Sequence, residues 1–82
     1  MNYFAMYEQI KRMKNKLPID SIWEFAATND KLRVIGHQVI YSSIIDPELF
    51  LHYQLISSNG AIGPTHTCMA SSLIHSPWKM IA

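Results

Sequence analysis

Charge is scarce in this chain. Asp, Glu, Lys and Arg make up 16% of its 82 residues, against roughly 25% in a typical globular protein, and hydrophobic residues make up 49%. A domain this short buries only ~60–65% of the surface that its unfolded chain exposes. Since few charges must cover a large surface, the composition predicts an apolar contact surface for a second copy or another protein. The alternative is a monomer covered by uncharged polar side chains.

Cysteine is almost absent, because Cys68 is alone and leaves no partner for an intrachain disulfide. This favours a reducing compartment and predicts a cytoplasmic location. The N-terminus has no signal-peptide pattern, and no apolar run approaches the ~20 residues that span a bilayer. We therefore expect no membrane partner. The net charge of +1 also lacks the basic excess that is typical of nucleic-acid-binding domains.

The beginning of the chain carries apolar residues at steps of three and four. At 100° per residue they fall within an arc of about 120°, which predicts an amphipathic helix over residues 2–16. Pro18 ends this helix because it pushes Leu17 towards extended geometry. The apolar positions are Tyr3, Met6, Tyr7, Ile10, Met13 and Leu17.

The rest of the chain carries short runs of β-branched and aromatic residues, which are typical of strands. Their alternation indicates half-buried antiparallel strands. The first run also fits a short helix capped by Asp20, but Trp23 and Phe25 alternate in a way that favours a strand. Residues 70–76 predict one helical or 3₁₀ turn. The predicted strands cover residues 21–27, 32–45, 49–56, 61–69 and 78–81.

Glycine and proline residues interrupt or separate these runs. Gly36 lies inside the second strand and predicts a bulge or a sharp bend. Asn59-Gly60 predicts a tight hairpin turn, since both residues tolerate positive φ. Gly63-Pro64 interrupts the fourth strand.

These elements predict a single α+β domain, residues 1–82, with an N-terminal helix and a small, strongly bent antiparallel sheet of about five strands. Trp23, Val34-Ile35-Gly36 and Pro77-Trp78 give a pattern that resembles the SH3-like or Tudor-like partly open barrels. That resemblance implies a bent sheet with the helix on one opening or face. The alternative is an open α+β sheet with the helix packed on one face.

Motifs for catalysis are lacking, so we expect no enzyme activity and no cofactor. Neither a Gly-x-Ser-x-Gly elbow nor a cysteine-protease signature is present. Metal-ligand spacings of the Cys-x₂-Cys kind are also absent, and no metal site is predicted. If one exists, it contains His66 and Cys68, because positions i and i+2 of a strand point the same way.

Two surface features suggest contacts. Apolar residues flank the turn around Pro47 and recur near the C-terminus, which suggests a protein interface. Basic residues crowd the last two turns of the helix, where they form either a solvated face or an anion-contacting basic patch. The interface candidates are Ile44, Ile45, Phe50, Trp78 and Met80, and the basic patch is Lys11, Arg12, Lys14 and Lys16.

The sequence therefore predicts a small non-enzymatic binding or regulatory protein that acts by protein–protein contact, with a homodimer favoured. An inhibitor or accessory factor of a mobile genetic element is a narrower form of this hypothesis. The first alternative is a nucleic-acid-binding domain that uses the basic patch. The second is a metal- or small-ligand-binding domain that uses His66 and Cys68.

Overall fold

The computed structural model describes residues 3–40 and 47–82 of the chain. A helix comes first, four strands follow, and a short helix precedes a last, two-residue strand. The elements are α1 Tyr3–Lys16, β1 Ile22–Phe25, β2 Asp30–Ile40, β3 Glu48–Ile56, β4 Ile62–Met69, α2 Ala70–Ile74 and β5 Lys79–Met80. The α+β class and the N-terminal helix are thus confirmed. The strand that was predicted over residues 21–27 is present as β1 and is shorter, because residues 26–29 form a turn.

The five strands form one antiparallel sheet in the order β4-β3-β2-β1-β5. The last strand pairs with β1, through Trp23 and Met80, and not with β4. The described strands therefore form an open sheet and not a closed barrel, as in the second of the two predicted architectures.

One face of the sheet, here called the inner face, carries the core. Val34 and Leu51 are fully buried on it, and Trp23 and Leu32 lie opposite each other in the β1–β2 register. Helix α2 contacts β3 and β4, and α1 contacts β3 and α2, so both helices cover this face. The core residues are Ile10, Leu17, Trp23, Leu32, Val34, Leu49, Leu51, Ala70 and Leu73.

Helix α1 ends where Pro18 predicted. The carbonyl oxygen of Leu17 accepts a hydrogen bond from Nε2 of His37 at 2.6 Å, which ties the helix end to β2. Tyr7 was predicted on the apolar stripe, but it is 52% exposed, because the narrow sheet buries only Ile10 and Leu17 of the described stripe. Neither described helix is long and apolar enough to cross a membrane.

Both predicted irregularities of the sheet are present. The β2–β3 register shifts between Val34 and Gly36, as Gly36 predicted. The β3–β4 register shifts where Gly63 and Pro64 stand opposite Leu55. A bulge adds one residue to one strand and increases its twist, so both shifts bend the sheet.

The fold is extended for its length. Its radius of gyration is 13.8 Å and its extents are 46 × 20 × 18 Å, whereas a domain of this length typically has a radius of about 12 Å. Its accessible surface is 5606 Å², against about 5000 Å² expected for a folded chain of 9.4 kDa. The molecule thus exposes about 600 Å² more than a compact monomer of its mass would.

Candidate functional site

An open groove of about 500 Å³ lies between the start of β2, the hairpin that joins β3 to β4, and Trp78. Polar atoms enter it only at Asp30, Lys31 and Ser57 and from the backbone. We call this feature the apolar groove and define it by the residues Leu55, Ile56, Ala61, Ile62 and Trp78.

One wall of the apolar groove is the β3–β4 hairpin. Its turn is closed by hydrogen bonds from the Ser57 N–H to the Ala61 carbonyl and from the Gly60 N–H to the Ser57 carbonyl, each at 2.9 Å. Gly60 has φ +85°, a conformation that glycine adopts without strain. The predicted Asn59-Gly60 turn is thus confirmed, and the bulge at Gly63 lies directly behind it.

The opposite wall is Trp78, which is held by the end of α2. The Ser76 hydroxyl donates to the Leu73 carbonyl at 2.6 Å and accepts the Trp78 N–H at 3.2 Å. The indole ring stacks on Phe25, with ring centroids 5.7 Å apart. A second, smaller pocket of about 170 Å³ also has Leu55 and Trp78 in its lining. Trp78 therefore both packs against the core and forms part of the surface.

Large apolar side chains around the groove remain in water. Leu55 is 41% exposed and Ile62 is 56% exposed. Leu55 shares the inner face with Leu49, Leu51 and Tyr53, as the alternation predicted, but it lies beyond the region that the helices cover. Sequence reasoning missed both residues as contact candidates, because alternation indicates the face of a strand and not where the cover of that face ends.

The charged groups at the groove already have partners. Lys31 Nζ lies 3.9 Å from Glu24 Oε2, and the Thr28 hydroxyl donates to Asp30 Oδ2 at 2.6 Å. Small-molecule sites normally add several converging polar groups to an apolar cavity. The apolar groove has no such cluster among the residues described, which favours a macromolecular surface over a small ligand.

The predicted interface residues do not form one patch. Ile44 and Ile45 lie outside the described residues. Trp78 forms the groove wall, and Met80, which is 50% exposed, lies opposite Trp23 in the β1–β5 register. Phe50 is half-buried on the outer face, where it pairs with Met69. Trp78 and Phe50 thus lie on opposite faces of the sheet.

The basic patch lies entirely on α1. The side chains of Lys11, Arg12, Lys14 and Lys16 are all exposed. No α1 residue enters the described lining of the groove, so the patch and the groove are separate surfaces.

His66 and Cys68 share the inner face of β4, as predicted. His66 stacks on Tyr53, with ring centroids 5.4 Å apart. Burial raises the pKa of the Cys68 thiol above its ordinary value, and a protonated thiol is a poor nucleophile and metal ligand. No cluster of three or more His, Cys, Asp or Glu residues that could hold a metal ion occurs within residues 3–40 and 47–82.

Comparison of the chain with protein-family models, with curated proteins and with solved structures finds no match.

Proposed function

We propose that this chain is a non-enzymatic binding protein that acts by protein–protein contact through the apolar groove. The observation that carries the proposal is the exposure of Leu55 and Ile62 beside Trp78 around an open cleft whose nearby charges are already paired. Tryptophan at the centre of an apolar surface is typical of the residues that dominate binding energy. A regulatory or inhibitory role is the more specific form of this proposal, in which the chain blocks the surface of the partner that it covers.

The size of the effect follows from the exposed area. Burying a whole Leu or Ile side chain stabilises by ~1.5–3 kcal/mol, and Leu55 and Ile62 are each about half exposed. These two would contribute about 1 kcal/mol each on burial. A micromolar complex requires about 8 kcal/mol. The partner must therefore also cover the surface around the groove.

A matched pair of variants tests this proposal. Ile62 and Ile19 are both 56% exposed, but only Ile62 lines the groove. The wild-type chain, Ile62→Glu and Ile19→Glu are each cross-linked in an extract of the source cells, and the captured proteins are identified by mass spectrometry. We expect a protein that wild type and Ile19→Glu capture and that Ile62→Glu loses. Equal capture by both variants, or no specific capture, would refute the groove as the binding surface.

A nucleic-acid role is the second candidate, because the four cations of the basic patch are all exposed on one helix. If all four contacted duplex phosphates, the logarithm of the binding constant would fall with log salt at a slope of about −3 to −4. Fluorescence anisotropy with a labelled DNA duplex at several salt concentrations measures this slope. Binding that is absent or insensitive to salt removes this candidate.

A further inference from the structure

We propose that two copies of this chain pair along the free edge of β4, with Thr65–Met69 of each copy antiparallel about Thr67. The result is one continuous sheet across a two-fold axis. This inference rests on the proposed function only in taking protein contact as what the chain does, since it uses the β4 edge and not the groove.

The two edges of the sheet differ in protection. The edge at β5 is two residues long and carries Lys79, and the residues after it hydrogen-bond to Ile22. Short length and lysine are both devices that stop strands from pairing further. Strand β4 is eight residues long, carries no Asp, Glu, Lys or Arg, and pairs within the described chain only with β3.

The β4 edge is open over a defined segment. Pro64 lacks an N–H and stands in the bulge, so it blocks pairing at the hairpin end. Helix α2 begins at Ala70 and ends the strand on the other side. Thr65–Met69 remains, and within it Thr65, His66, Thr67 and Met69 are exposed while Cys68 is half-buried. A sheet edge of this kind leaves backbone N–H and C=O groups ready for another strand.

The segment also determines its register. Two antiparallel copies of a five-residue segment overlap completely only when the central residue, Thr67, faces itself. Thr65 then faces Met69 of the second copy, and His66 faces its Cys68. No two histidines oppose each other, and a Thr–Thr pair across neighbouring strands is favourable. Any other register loses at least one of the pairs.

The composition of the segment permits pairing with its own copy. Thr65–Met69 carries no Asp, Glu, Lys or Arg, so the two-fold register brings no like charges together. Pairing of β4 with β4 is also a closed arrangement, because the two-fold axis consumes both unprotected edges. This edge is therefore fully used at two copies.

The first test is a cysteine cross-link in a Cys68→Ser background. In the proposed register the two Thr67 Cα atoms lie about 4.5–5.5 Å apart, within the range that a disulfide spans. Two Thr65 residues lie four positions out of register, about 13 Å apart along the strands. We expect oxidation by diamide to cross-link Thr67→Cys quantitatively and to leave Thr65→Cys uncross-linked. Equal cross-linking of both variants, or of neither, would overturn the pairing.

The second test is a charge exchange, read out as absolute mass by light scattering. Wild type should have twice the 9.4 kDa of one chain. Thr67→Lys and Thr67→Glu should each have the mass of one chain, because like charges then face each other across the axis. An equimolar mixture of the two should regain the mass of a dimer, which also shows that both variants fold.

Three results would overturn the proposal: a monomeric wild type at all concentrations, a dimer that both Thr67 variants keep, or a mixture that fails to associate. The groove variant Ile62→Glu separates this proposal from the proposed function. Ile62→Glu should no longer capture the partner but should still have the mass of a dimer. Thr67→Lys should have the mass of one chain but should still capture the partner.

Discussion

Replacing Ser21 with alanine tests the buried polar contact that supports β1. Ser21 and Trp23 are 5% and 8% exposed, and the indole N–H of Trp23 donates to the Ser21 hydroxyl at 3.0 Å. The backbone carbonyl of Ser21 separately accepts the Val34 N–H at 3.0 Å, and alanine keeps that bond. Ser21→Ala therefore removes one acceptor and leaves the buried indole N–H without a partner.

The magnitude follows from these contacts. An unsatisfied buried donor costs ~1–3 kcal/mol. At about 0.05–0.15 kcal/mol per residue, a chain of this length has a free energy of unfolding of only about 4–12 kcal/mol. A loss of 2 kcal/mol would lower the Tm by about 10 °C, since domains of this size shift by ~4–8 °C per kcal/mol.

The assay is urea unfolding followed by far-UV circular dichroism, at one protein concentration because association would add to apparent stability. Ser58→Ala, in the exposed hairpin turn, serves as the control and should change the free energy of unfolding by less than about 0.5 kcal/mol. In a Trp23→Phe background the donor is gone, so Ser21→Ala should cost less than about 0.5 kcal/mol there. Equal losses in both backgrounds would refute the hydrogen bond as the cause.

Three further perturbations have defined outcomes. Leu51 is fully buried, so Leu51→Ala should lower the free energy of unfolding by ~2–5 kcal/mol in urea titration; a loss below ~1 kcal/mol would contradict its place in the core. In Gly60→Ala the added Cβ meets no atom within 4 Å, but the residue must keep φ +85°, so backbone strain alone should lower the free energy of unfolding by about 1–2 kcal/mol. Gly63→Ala should lower it less, because its added Cβ would make an ordinary 3.6 Å contact. The urea midpoints of the two variants test this order. Burial raises the pKa of the Cys68 thiol and, together with the nearby thiol, that of the Tyr53 phenol. The folded state thus binds these two protons more tightly than the unfolded chain does. The stability that they contribute should be fully present below pH 9.0, the ordinary pKa of the thiol, and should be lost as pH rises through the raised pKa values. Urea unfolding curves from pH 7 to 11 should show this loss, and the loss should be smaller in Cys68→Ser.

The local elements were predictable because their causes are local. Pro18 ends α1 through its own ring, and Gly60 makes the hairpin turn through its own positive φ. Gly36 marked the β2 irregularity because strands rarely keep a glycine without a bend or bulge.

The apolar groove was not predictable, because it depends on distant pairings. Its second wall depends on the stacking of Trp78 on Phe25 and on the pairing of β5 with β1, which together bring Trp78 to the groove that Leu55 lines. Nothing near Trp78 in the sequence encodes that neighbour. Phe50 shows a related problem. Neighbouring residues of a strand point to opposite faces of the sheet, so Phe50 lies on the outer face although Leu49 and Leu51 beside it lie on the inner face. The predicted interface combined residues from both faces for this reason.

The pairing of β1 with β5 has a consequence for how the groove opens. The β2–β3–β4 meander is joined by contacts close in sequence, whereas Trp23 and Met80 pair although they are far apart in the sequence. Contacts that close a longer loop cost more conformational entropy. A two-residue strand can therefore detach as a separate local unfolding unit while the meander stays folded. The groove thus has one wall in the meander and one wall next to the short β1–β5 ladder, and widening it would break that ladder and the stacking of Trp78 on Phe25.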